Sequence, residues 1–144
     1  MGVPINLGLL LHQAEVRLTR MLNDALVDIA LTARHFGVLL LIHRDGVDTQ
    51  KDLVARLITD KTAMVRIIDD LERAGCLTRR TSTRDRRMSH LTLTKHGQRV
   101  FADAQQRAQA TVDRFFGMLA PAELAVFGDI LNRLVNGAMD ADAS

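Results

Sequence analysis

Residues Thr49–Thr94 read TQKDLVARLITDKTAMVRIIDDLERAGCLTRRTSTRDRRMSHLTLT, and the change of periodicity within them decides the fold. Thr49-Gln50-Lys51-Asp52 is a variant capping box, with Thr49 as the N-cap and Asp52 placed to reach back to the Thr49 amide. The helix it opens ends near Leu57. A break follows at Ile58-Thr59, a turn without glycine, and Thr59 or Asp60 caps a second helix that Gly75 ends. Beyond Gly75 the period falls from 3.6 to two. Residues 76–82 and 88–94 are Thr-rich and alternate, so they predict two strands joined by a polar, arginine-rich tip. Helix, turn, longer helix and basic hairpin make a winged helix-turn-helix.

The second helix has two faces. Met64, Ile67, Ile68 and Leu71 fall together and belong in a core. Thr62, Ala63 and Arg66 fall opposite. Short polar side chains and one arginine on the first two turns suit a major groove: Thr62 to a base edge or phosphate, Ala63 to a thymine methyl, Arg66 forked onto guanine. The free amides and positive dipole at that end also attract phosphate. Asp69 and Asp70 repel phosphate, so only the first two turns are expected to approach DNA. An ordinary surface helix would show the same two faces. Arginine at the hairpin tip (Arg84, Arg86, Arg87) suits the concentrated negative potential of a narrow minor groove, and Asp85 suits a brace for a neighbouring arginine.

Charge is unevenly spread. Of 144 residues, 19 are Lys or Arg and 17 are Asp or Glu. Residues 78–99 hold seven of the cations and one acid, Asp85, which sets a basic block on a mildly acidic body. On charge alone, a polyanion contact and a solvated basic face stand equally open. Aromatic residues are 3%, with no Trp or Tyr, which argues against stacking platforms for single strands.

Outward from the hairpin the chain is helical. Residues 5–29 predict one helix in which Leu7, Leu11, Ala14, Leu18, Met21 and Ala25 form an a/d seam, open to a partner helix or to the chain's own core. Thr32 caps a short apolar helix closed by Gly46. Thr94 caps a long helix from Lys95 to about Leu119, whose inward face carries Val100, Ala104, Ala108, Thr111, Phe115 and Met118. Pro121 opens a last helix, and residues 140–144 are expected to fray.

The order and spacing of these pieces resemble the MarR family of bacterial regulators over residues 7–136. The resemblance rests on Thr49–Leu57, on Asp60-Lys61-Thr62 through Arg66 to Leu71-Glu72, on Ala74-Gly75-Cys76-Leu77, on the wing Asp85-Arg86-Arg87, and on Leu93-Thr94 with Gly97 beyond. It implies a mainly α fold with a small β-hairpin wing in one domain, residues 5–139. Residues 32–97 would be the DNA-binding lobe, and 5–29 with 98–139 the helices of a homodimer. The implied partner is double-stranded DNA carrying a pseudo-palindrome, and repression is the implied outcome. The implied contacts are Lys61, Thr62, Ala63 and Arg66 in the major groove, Arg84, Arg86 and Arg87 at the wing with Asp85 as brace, and Thr49 and Gln50 on phosphate. Ala63 stands where the family more often has Thr or Ser, and Asp70 where a base is frequent. A small aromatic or anionic effector is a common family theme, and His12, Arg17 and His35 lie on helices able to meet one.

Other readings set expectations too. No His-Glu-x-x-His, Gly-x-Ser-x-Gly or phosphate-loop motif occurs, so no enzyme, cofactor or metal is expected. The lone Cys76 cannot form an intrachain disulfide and fits a reducing cytoplasm, with no membrane partner. A redox-sensing role for Cys76, or a winged helix that binds protein rather than DNA, are the rival functions.

Overall fold

The computed structural model describes residues 2–81, 84–85 and 89–143, the last six by backbone alone. In chain order the elements are α1 (Asn6–Leu26), α2 (Ala33–Asp45), α3 (Gln50–Leu57), α4 (Lys61–Arg73), β1 (Leu77–Thr81), β2 (Ser89–Leu93), α5 (Lys95–Phe115) and α6 (Pro121–Ala143). The fold is mainly α with a small β wing. A short 3-10 turn, Val27–Ile29, ends the first helical stretch. Arg86 and Arg87 of the expected wing contacts lie outside the described residues.

The helix starts follow local chemistry. Thr32 closes a reciprocal capping box with His35, an arrangement the sequence did not advertise because the third helical residue is neither Glu nor Gln. Thr49 accepts from the Asp52 amide at 3.2 Å, which is one half of the box expected there. Asp60, rather than Thr59, caps α4, accepting from the Ala63 amide at 2.8 Å. The turn between α3 and α4 is made without glycine by Ile58 in the left-handed region, φ 50°. A β-branched residue pays a steric cost there. Gly46 and Gly75 take the left-handed positions after α2 and α4, as their sequence context predicts.

The chain forms two compact units, Met1–Thr111 and Val112–Ser144. The core of the first joins Val38 and Leu39 of α2, Leu53 of α3, Met64, Ile68 and Leu71 of α4, Leu77 and Leu91 of the hairpin, and Phe101 of α5. Each such side chain contributes about 1.5–3 kcal/mol through removal from water. Of α1, only Leu26 is fully buried. Phe36 stacks on Phe101 with ring centroids 5.9 Å apart, and His43 tilts onto the same ring at 4.5 Å.

β1 and β2 pair antiparallel, with Leu77 opposite Leu93 and Arg79 opposite Leu91. The Leu91 amide also donates to the Asp48 carbonyl at 2.7 Å, which ties the wing to the segment preceding α3. At the other end of the hairpin Thr94 caps α5: its hydroxyl accepts from the Gly97 amide at 2.9 Å and donates to the Gly75 carbonyl at 2.5 Å. Gly97 is required there, since a Cβ would stand 2.1 Å from the Cys76 carbonyl oxygen.

α5 ends four residues earlier than expected, because the chain turns at Gly117, whose amide reaches back to the Arg114 carbonyl. Met118, assigned from sequence to the inward face, is therefore exposed, and Phe101 is the large core residue that the assignment missed. In the second unit the Glu123 carboxylate accepts from the Ala120 amide at 2.9 Å, at the start of α6. α6 continues to Ala143, over residues read from sequence as a frayed end. Among the described residues no single helix is long and apolar enough to cross a membrane.

Candidate nucleic-acid interface

α4 separates its faces as its sequence requires. Met64, Ile67, Ile68 and Leu71 are buried. Lys61, Thr62 and Arg66 are exposed and Ala63 is half-buried. The helix start thus presents two cations and a hydroxyl to solvent while its apolar stripe holds it to the core.

The two helix starts and the wing frame one groove of about 860 Å³, lined by Thr49, Gln50, Lys51, Lys61, Arg79 and Ser89 among others. Three residues singled out from the sequence, Thr49, Gln50 and Lys61, are therefore neighbours in space. The Thr49 oxygen accepts the Asp52 amide, so its hydroxyl proton stays available to donate to an anion. Arg84 and Asp85 are exposed at the hairpin end.

Arg79 was not singled out as a site from the sequence. It sits on the inner face of β1 and pairs with Asp69 and, at 3.5 Å, with Glu72, both on α4. The signal that could have found it is the 69/72 spacing, which puts two acids on one side of α4 facing the first wing strand. These pairs change the reading of the acids on α4. Asp69 is engaged with Arg79, and Asp70 with His35 of α2 at 3.0 Å, so both are held by neighbouring elements. A second tie, His90 Nδ1 to Asp48 at 3.0 Å, joins β2 to the segment before α3.

Further from the groove, Asp45 bridges Arg44 and Arg56, joining the end of α2 to α3. The hydrogen bond from Arg44 holds the Asp45 carboxyl below the usual aspartate range, and Arg56 adds to this. Cys76 is buried, 1% exposed, and burial pushes its thiol up from the ordinary value.

A helix-turn-helix whose second helix exposes a short polar and cationic stripe beside a basic β-hairpin defines a winged-helix DNA-binding protein. The model of the MarR family matches residues 31–88, which span all of this lobe up to the wing. Solved structures match nearly the whole chain. A MarR family transcriptional regulator from Rhodococcus sp. RHA1 is 26% identical with a TM-score of 0.84, over 94% of this chain and 96% of that one. A cysteine-to-serine mutant of MarR from E. coli, complexed with operator DNA, is 27% identical with a TM-score of 0.80, over 90% and 94%. BpsR of Bordetella bronchiseptica, whose DNA binding is regulated by 6-hydroxynicotinic acid, is 26% identical with a TM-score of 0.81, over 90% and 98%. Residues 31–88 thus carry the winged helix of the MarR family, and over nearly its whole length the chain shares the fold of MarR family transcriptional regulators.

Proposed function

We propose that the chain is a homodimeric repressor that reads a pseudo-palindromic operator and is released by a small anionic effector. The observation that carries the reading is the exposed stripe of Lys61, Thr62 and Arg66 at the start of α4, beside the groove that Thr49, Gln50 and Lys61 share. In this reading Thr62, Ala63 and Arg66 meet base edges. Lys61, Thr49 and Gln50 meet phosphate. Arg84, Arg86 and Arg87 meet the flanking minor groove, braced by Asp85. Residues 32–97 form the reading lobe, and 5–29 with 98–139 form the dimer region. The E. coli relative bound to operator DNA supports this assignment.

Dimerisation is supported by apolar surface that the chain leaves uncovered. On α1, Leu7, Leu10 and Leu11 are each more than half exposed; on α6, Val126 and Leu134 are as well, and Val135 is half exposed. Amphipathic helices with such stripes are stable in water when a second copy covers them, and a two-fold pair of reading lobes matches a palindrome. For the effector, His12, Arg17 and Arg20 line a groove of about 430 Å³ along α1 with Asp24 at one end. Two guanidinium groups and an imidazole suit a carboxylate such as the one that regulates BpsR.

The test is duplex binding by two variants. Arg66→Ala should relax base preference at one operator position and cost about 1–3 kcal/mol, whereas Arg87→Ala should weaken all duplexes alike. Parental binding by both variants would sink the site assignment. Binding to a protein partner with no duplex affinity would favour the protein-interaction reading.

A further inference from the structure

Thr62, Arg66 and Asp70 lie at intervals of four on α4 and so fall on one stripe of the helix. The base reader proposed above, Arg66, therefore has a carboxylate one turn further along. Arg and Asp at that spacing ordinarily pair across a turn. Here they do not. Among the described residues Arg66 has no ion-pair partner, and Asp70 turns instead to His35, its Oδ2 lying 3.0 Å from His35 Nε2.

His35 is held for this contact. Its Nδ1 lies 3.0 Å from the Thr32 amide nitrogen, which can only donate, so Nδ1 accepts and the ring proton sits on Nε2, aimed at Asp70. The ring is largely enclosed, with 14% of the side chain exposed. The turn that carries it is pinned from behind. The Ala33 amide donates to Asn23 Oδ1 of α1 at 2.8 Å, and the Thr32 hydroxyl accepts from the His35 amide. Arg73, 3.9 Å from the other Asp70 oxygen, adds a second and weaker hold. Asp70 thus has defined partners on the side away from the DNA-reading turns.

We propose that His35 is a positioning residue for DNA reading: by engaging Asp70 it keeps that carboxylate off Arg66 and leaves the guanidinium free for a base. The proposal rests on the assignment of Arg66 as a base contact. Without His35, Asp70 swings to Arg66, and operator binding must first break a pair that the parent never forms.

A double-mutant cycle separates this from a purely structural role and from simple charge repulsion. His35→Ala should weaken operator binding by about threefold to tenfold. Asp70→Ala in the parent should change it less than about threefold. Asp70→Ala placed on His35→Ala should restore the parental affinity, because the competing carboxylate is gone. His35→Gln, which keeps an acceptor and a donor, should bind like the parent. A structural role for His35 predicts no rescue by Asp70→Ala. Simple repulsion predicts the same gain from Asp70→Ala in both backgrounds. Either result overturns the proposal. A crystal structure of the free His35→Ala protein decides the exchange of partners without DNA. Asp70 within 4 Å of Arg66 is expected, and Asp70 remaining away from it would overturn the proposal even if no duplex binds.

Discussion

The contact between the start of α5 and the first residue of the wing can be tested by a single methyl group. In Gly97→Ala the new Cβ would stand 2.1 Å from the Cys76 carbonyl oxygen, 2.9 Å from its carbon and 3.0 Å from its Cα, all of them backbone. No side chain can rotate away to relieve this, so α5 must withdraw by about 1 Å to reach ordinary contact. Withdrawal strains the Thr94 amide to Cys76 carbonyl bond at 3.0 Å and the two bonds of the Thr94 hydroxyl. Three weakened hydrogen bonds at roughly 1 kcal/mol each, with overpacking of about 1–3 kcal/mol, oppose a helix-propensity gain of about 1 kcal/mol for Ala over Gly. The net is a destabilisation of about 3–5 kcal/mol, read by urea unfolding at matched protein concentration. Gly37→Ala is the control. Its Cβ would meet only the flexible Leu57 side chain, at 3.4 Å, so stability should be unchanged or raised by up to about 1 kcal/mol. A Gly97→Ala protein as stable as the parent would refute the close approach of α5 to Cys76.

Three further outcomes follow from the same structure. Ile58 is 78% exposed with φ 50°, so Ile58→Gly should stabilise by up to about 1 kcal/mol in thermal unfolding, since relief of about 1–2 kcal/mol outweighs the lost backbone restriction. Cys76 is buried and its thiol raised, so thiolate is scarce at neutral pH; a disulfide reagent should label it only as fast as the chain opens, and mild peroxide should leave duplex binding unchanged. The Asp45 carboxyl is lowered by Arg44 and Arg56, so its contribution to stability is present above the ordinary aspartate value and is lost as pH falls through the depressed one; Asp45→Asn should remove that part of the acid limb, read as unfolding against pH.

How much was legible in the sequence depended on whether a feature was local. The caps at Thr32, Asp60 and Thr94, the ends at Gly46 and Gly75 and the buried stripe of α4 depend on residues within a turn of one another, and each appears where the pattern puts it. Ile58 in the left-handed turn was not legible, because a β-branched residue there opposes its own propensity and is held by the packing of α3 and α4. The partners of Asp69 and Asp70 were not legible either. Both acids looked like obstacles to DNA on one helix, and their meaning comes from Arg79 and His35 on other elements. Gly97 was noticed as part of a spacing, but its reason, the Cys76 backbone pressed against it, is a contact between elements 21 residues apart. Thr49, Gln50 and Lys61 could be named one by one, whereas the groove they share with Arg79 and Ser89 required the fold.

The most direct test of the central claim is equilibrium binding to a duplex selected from a random pool, measured against salt concentration. In the proposed assignment, arginine and lysine at the start of α4 and on the wing displace condensed counterions from a two-fold operator, so log affinity should fall linearly with log salt, with a slope on the order of −5, and scrambling the selected site should cost at least about a hundredfold. Binding that ignores salt, or a pool from which no sequence is enriched, would contradict the account.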